Sequence, residues 1–201
     1  MLSPPPSLTD PRPPFQAAGA QLPLSFIPSY TVLLGLPPSK GSNLLAASSA
    51  INAASRILTG YAGDRLGRQN LLLLTLSLAA SSVFAFWLSS ALSESLPLWL
   101  AFIVFYSFAA GGYYALFPAL IAEVFGIRQY ASVNAFILFV RGLGTVFGSP
   151  VGGRLLGGVE EGSRAYAGIA YWDGALLVGA TACCFGVRWA DGRGKGWKWI
   201  A

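Results

Sequence analysis

The chain has 201 residues, 54% of them hydrophobic and only 10% charged, with a mean hydropathy of +0.58. A soluble domain carries about 25% charged residues, so this composition excludes a soluble globular protein and points to an integral membrane protein. The net charge of +5 then reads as a topology signal rather than a nucleic-acid footprint, and the lack of histidine removes the commonest general base and metal ligand. No catalytic residue, metal or cofactor is expected.

Residues 1–14, MLSPPPSLTDPRPP, read as a disordered, proline-rich lead-in without the basic start and apolar core of a signal peptide. A six-span membrane body is expected over residues 15–190. Its first span, 15–36, carries Pro23 and Pro28 and is expected to be broken, because proline removes a helical hydrogen bond. A short loop, Pro37 to Ser42, follows.

The second span, 43–63, is long enough to cross a hydrocarbon core of roughly 30 Å at about 1.5 Å per residue. Ser48, Asn52, Arg56, Gly60 and Asp64 recur at every fourth position. Residues four apart lie one turn apart on nearly the same face, so Asn52 and Arg56 are expected to meet. A mid-span arginine costs roughly 2.5–3.5 kcal/mol on insertion scales, which favours a buried, functional cation over one that snorkels or pairs structurally. Beyond it, Asp64 and Arg65 stand where the helix leaves the membrane. Gly67 permits a tight reversal, and Arg68 is expected to bond carbonyls or headgroups.

The third span, 71–92, is apolar nearly all round, as a lipid-facing helix should be, with Trp87 in an aromatic-belt position. Residues 93–97 form a tight outer turn. In the fourth span, 98–121, Trp99 reads as a belt residue, while Tyr106, Ala110, Tyr113 and Phe117 share a face around Gly111-Gly112. Tyr113 lies near mid-span, where its hydroxyl needs a partner; lining a path and plain helix packing stay open for that face. The fifth span, 131–156, holds Arg141 with Asn134 seven residues earlier on the same face. Gly144, Gly148 and Gly152 in that span form a small-residue stripe. The sixth span, 166–188, carries Asp173, which reads as interfacial or paired rather than as a proton carrier. The adjacent Cys183 and Cys184 suggest small packing residues, not a disulfide or zinc site. Residues 191–201 form a basic tail suited to an anionic cytoplasmic surface.

With the N-terminus inside, Arg12, Arg65, Arg68, Arg128, Arg188, Arg193, Lys195 and Lys198 fall on the inner side, against Lys40, Arg154 and Arg164 outside. This partition satisfies the positive-inside rule and places both termini in the cytosol. Spans one to three and four to six each have a middle helix with a central arginine, Arg56 and Arg141, a weak internal symmetry.

Gly60, Asp64, Arg65, Gly67 and Arg68 reproduce the spacing G-x-x-x-D-R-x-G-R, which resembles the cytoplasmic loop signature of the major facilitator superfamily. Together with IPSYTVLLG, FYSFAAGGYYALFPALIAE and VRGLGTVFGSPVGG, taken in order over residues 24–188, it resembles the C-terminal half of a fungal monocarboxylate-transporter-like protein. The resemblance implies an all-α membrane protein, six transmembrane helices forming half of a twelve-helix major facilitator fold. It implies secondary transport of a monocarboxylate or related small organic anion, with or without a coupled proton, at the plasma membrane rather than an organelle, and no enzymatic activity. Partners would be the lipid bilayer and a second six-span half or another copy, with no nucleic acid. Asn52, Arg56, Tyr106, Tyr113 and Arg141 are the expected substrate path, and Asp64 to Arg68 a conformational latch. In animal members an acid stands at the position of Asn52 and an arginine, associated with the substrate carboxylate, at that of Arg56. The amide here argues against proton coupling through residue 52. The alternative is a non-transporting membrane interaction protein that pairs with full-length relatives.

Overall fold

A computed structural model describes residues 22–155 and 159–195. The proline-rich lead-in and the end of the basic tail lie outside the described residues. The described chain is helical with short turns and no strand.

Helix α1, Leu22–Leu33, contains Pro28. Helix α2, Pro38–Leu66, starts with proline at its first position, where the missing N–H costs nothing. It ends at Gly67, whose φ of 86° favours glycine and whose N–H bonds back to the Gly63 carbonyl at 3.1 Å. Helix α3, Arg68–Ser93, begins at once on the other side of that glycine. It includes a π-helical turn, Val83–Leu88, and stops where Glu94 turns left-handed at φ 54°. A long helical run, Leu96–Leu155, is broken at Gly126 with φ 73° and ψ 160°. Residues 96–125 are called α4 and residues 127–155 α5. A 3₁₀ turn, Val159–Tyr166, leads into α6, Ala167–Lys195, which continues past the expected start of the tail.

Three of these helices are long and apolar enough to cross a membrane: Arg68–Ser93, Leu96–Glu123 and Ser163–Gly186. Six spans were expected. Helix α2 is long enough but interrupts its apolar residues with serines, glycines, Lys40, Asn52, Arg56, Asp64 and Arg65.

Its small polar face is what it buries. Gly41, Ser48, Ser55, Thr59 and Gly63 are enclosed, a 3.6-residue periodicity rather than the every-fourth stripe. Between helices in an apolar solvent, close packing and hydrogen bonds drive association, and small residues permit both. Ser107 Oγ donates to Ser48 Oγ at 2.9 Å, and Ser55 Oγ donates to the Phe108 carbonyl. Gly111 and Gly112 make the crossing possible. A Cβ on Gly111 would lie against the Asn52 carbonyl oxygen and 2.8 Å from Ser55 Cβ, and one on Gly112 would lie 2.6 Å from Thr75 Cγ2 on α3.

The core sits where α1, α3, α4 and α6 meet, and its largest side chains are aromatic. Trp87, Trp99, Phe102, Tyr106 and Tyr30 are buried with Ile27, Ile169 and Leu177. Ring centroids stand 5.3 Å apart for Trp87 and Phe102, 5.2 Å for Trp99 and Phe102, and 4.5 Å for Tyr30 and Trp99. This corrects the belt assignments. Trp87 and Trp99 are fully enclosed, and the Trp99 indole donates to Thr31 Oγ1 at 3.0 Å. Helix α3 is likewise not lipid-facing all round: Leu71, Leu72, Thr75, Leu76, Ala79 and Ala80 are buried against its neighbours. Helix α5 is the exception in the bundle. None of its described residues is buried, and it meets the other helices through a half-buried stripe that includes Asn134, Ile137, Arg141 and Thr145. Of its expected glycine stripe, Gly148 and Gly152 lie outside the described side chains.

Candidate functional site

Asn52 and Arg56 meet as their spacing predicts. Arg56 Nε donates to Asn52 Oδ1 at 3.0 Å, and Asn52 Nδ2 donates to the Ser107 carbonyl at 3.5 Å. The amide therefore faces an acceptor with one end and a donor with the other. An ionised carboxylate at residue 52 would confront the Ser107 carbonyl oxygen, which is the physical reason an amide suits this position. Asn52 holds the guanidinium without neutralising it.

Arg56 itself is exposed, not buried as the sequence suggested. Its Cζ lies 5.2 Å from the centroid of the Tyr114 ring. Arg141, arriving from α5, places its Cζ 5.6 Å from the same centroid, 5.4 Å from that of Tyr113 and 5.8 Å from that of Phe117. Tyr113 and Phe117 stack at 5.1 Å, and Tyr113 and Tyr114 meet edge to face at 5.8 Å. Cations are held over aromatic faces by the ring quadrupole, an attraction that leaves their charge uncancelled. Neither arginine has a carboxylate partner among the described residues. The result is a pair of half-buried rings, Tyr114 and Phe117, backed by the buried Tyr113, with two guanidiniums against them, chemistry suited to a planar, anionic group.

The expected path residues divide. Asn52, Arg56, Tyr113 and Arg141 come together. Tyr106 does not join them directly: it is enclosed in the aromatic core, 5.1 Å from Phe102. Tyr114, which links the two arginines, was missed. It lies one residue off the face defined by Tyr106, Ala110 and Tyr113, and no periodicity within α4 singles it out.

The loop signature forms an ion cluster at the opposite end of α2 from Pro38. Arg68 bonds Asp64 at 2.9 Å and Glu123 at the end of α4 at 3.4 Å. Its partners are carboxylates, not the carbonyls or headgroups expected. Arg65 lies over the Tyr61 ring at 5.0 Å. Nothing lies within 4 Å of where a Cβ on Gly60 would stand. Arg188 of α6 donates to Gln69 at 3.4 Å at the same end of the bundle.

Asp173 is a further correction. It is fully buried, and neither carboxyl oxygen has a hydrogen-bond partner among the described residues. It is neither interfacial nor paired. The sequence did hold a signal: Ile169, Ala170, Asp173, Leu177 and Ala180 share one face of α6, and the others are core residues.

The profile of the Major Facilitator Superfamily matches residues 15–196. An MFS-type transporter of Gibberella moniliformis is 27% identical over 165 residues, which are 82% of this chain and 37% of the relative. An aspyridones efflux protein of Emericella nidulans is 27% identical over 190 residues, 92% of this chain and 37% of the relative. A riboflavin transporter of Saccharomyces cerevisiae is 22% identical over 171 residues, 83% of this chain and 32% of the relative. The chain thus spans about a third of the length of these curated relatives. No solved structure matches it.

Proposed function

The chain belongs to the major facilitator superfamily, and from that membership we propose that it forms one wall of a secondary transporter that moves a small organic anion across a membrane. The observation that carries this reading is the pair of guanidiniums, Arg56 and Arg141, held over Tyr114 with no carboxylate partner among the described residues. Two uncancelled positive charges beside stacked rings select a ligand with an anionic group and a flat apolar body. The half-buried rings of Tyr114 and Phe117 favour ring-bearing carboxylates over short monocarboxylates. The names of two relatives, an aspyridones efflux protein and a riboflavin transporter, are compatible with larger cargo.

The exposure of Arg56 supports a second wall. A guanidinium cannot face hydrocarbon cheaply, so the surface over α2 and α5 is read as facing a water-filled path between this unit and another six-span unit, in a longer chain or in a second copy. In this reading the Asp64–Arg68–Glu123 cluster lies on the cytoplasmic side and ties the end of α2 to the end of α4. It breaks and re-forms as the walls rock. Asn52 acts as a positioning residue for Arg56.

The test is uptake of labelled benzoate and of a labelled short monocarboxylate into vesicles, normalised to inserted protein. Vesicles holding the chain alone should take up neither as a monomer. Vesicles in which it is paired with a six-span unit should take up benzoate. Arg56→Ala should remove most of that uptake and Arg56→Lys restore only part, because a point charge lacks the planar fork. Normal uptake by the alanine variant would refute the site.

A further inference from the structure

Asp173 stands near the middle of the span Ser163–Gly186, the bundle's only described acid in a membrane span away from its ends. It is fully enclosed by this chain's own helices, so a cation from another unit cannot reach it. Its neighbours on the same face, Ile169, Ala170 and Leu177, belong to the core. Immediately beside it, a Cβ on Gly174 would run into the ring of Phe84, at 2.5 Å from Cζ. Phe84 is part of the π-helical turn Val83–Leu88 of α3. The backbone of α6 next to Asp173 is thus packed against the turn where the regular hydrogen bonding of α3 is interrupted, and such turns recur at functional positions. Within the same π turn the Trp87 indole N–H is also buried without a partner among the described residues.

The groups that face Asp173 do not neutralise it. From α3 there is no ionisable side chain beyond Arg68 at its first turn. From α4 the titratable group within electrostatic reach is Tyr106. From the 3₁₀ turn, Arg164 is exposed and Tyr166 packs against Tyr30 and Phe26. On α6 itself Tyr171 is exposed, Cys183 and Cys184 are half-buried thiols, and Arg188 lies four turns away beside Gln69. An ionised carboxylate enclosed among apolar groups, with neither a donor nor a cation among the described residues, is strongly disfavoured, and such a group takes up a proton instead.

We propose that Asp173 is carried as a neutral acid inside this bundle and serves as a proton-binding site, releasing its proton to water when α6 parts from the π-helical turn of α3. In that step the carboxyl O–H bond breaks, the proton passes to an entering water molecule, and the carboxylate is left hydrated in the opened seam. Reclosure requires the proton to be taken back, which ties closure of this seam to protonation. The proposal rests on the transport reading for its role in a cycle, but not for the state of the acid. It also places a coupling proton on a different helix from Asn52, whose amide cannot carry one.

The experiment is infrared spectroscopy of the purified chain in lipid nanodiscs, from neutral to mildly alkaline pH, in H₂O and D₂O. The expected result is a protonated-carboxyl C=O band that persists into alkaline solution and shifts in D₂O. The band should be missing in Asp173→Asn and return at a displaced frequency in Asp173→Glu. Asparagine matches the neutral acid in shape, so that variant should insert and fold normally. In paired vesicles it should also exchange anion while losing stimulation by an imposed proton gradient. The proposal is overturned if no such band exists at neutral pH, if the band survives Asp173→Asn, if it never shifts in D₂O, or if gradient stimulation is intact in Asp173→Asn. The infrared readouts need no transport. Normal uptake by Arg56→Ala would therefore sink the anion site while leaving this assignment to stand or fall separately.

Discussion

Replacing Arg56 by alanine separates a functional cation from a structural one. Among the described residues the side chain makes one hydrogen bond, to Asn52 at 3.0 Å, and one ring contact, to Tyr114 at 5.2 Å. An exposed pair at i,i+4 is worth about 0.2–0.5 kcal/mol and an exposed cation–π contact about 0.5–1 kcal/mol. Removing both should cost folding about 1 kcal/mol, too little to prevent insertion. Losing one partner of a charge-assisted pair with a bound carboxylate costs about 2–5 kcal/mol. Arg56 is exposed and Arg141 remains on the same ring, so the lower figure applies: about 2 kcal/mol, or about thirtyfold in Kd. The assay is titration of benzoate against the purified chain in nanodiscs, read by fluorine NMR from fluorotyrosine with the Tyr114 signal assigned by Tyr114→Phe. Arg56→Ala should weaken binding about thirtyfold, with the melting temperature nearly unchanged. Binding within about threefold of wild type, or a loss matched by loss of folded protein, would refute the assignment.

The other expectations concern packing, latch and topology. Gly111→Leu should drive α2 from α4, because the new side chain would occupy the space of the Asn52 carbonyl and Ser55. Overpacking of this kind costs about 1–3 kcal/mol, and a melting temperature equal to wild type would show that the crossing is looser than described. Asp64→Asn removes the 2.9 Å pair with Arg68, whose side chains are 65% and 37% exposed. Stability should fall by less than about 1 kcal/mol, while the rate of cycling in paired vesicles should change more than affinity for benzoate. A changed affinity with normal turnover would contradict the latch. With Cys183 and Cys184 replaced by serine, an impermeant thiol reagent applied outside should label a cysteine placed at residue 161 and spare one placed at Gly67. The reverse pattern would overturn the orientation.

The sequence by itself determined the features that live within one helix. The all-helical membrane class follows from hydropathy and the scarcity of charge. The Asn52–Arg56 contact follows from four-residue spacing, and the reversal at Gly67 from the one residue that tolerates φ of 86°. What lies between helices was decided by the tertiary structure. Hydropathy cannot tell a buried apolar face from a lipid-facing one, because both meet hydrocarbon. Trp87, Trp99 and half of α3 therefore read as lipid-exposed but are enclosed. The meeting of Arg56 and Arg141 on Tyr114 depends on how closely Gly111 and Gly112 let α2 and α3 approach α4, and on the turn of the chain at Gly126 that brings α5 back along the bundle. Asp173 was legible as an acid in an apolar stripe. Its isolation was not, since the lack of a partner is a property of every helix packed around it.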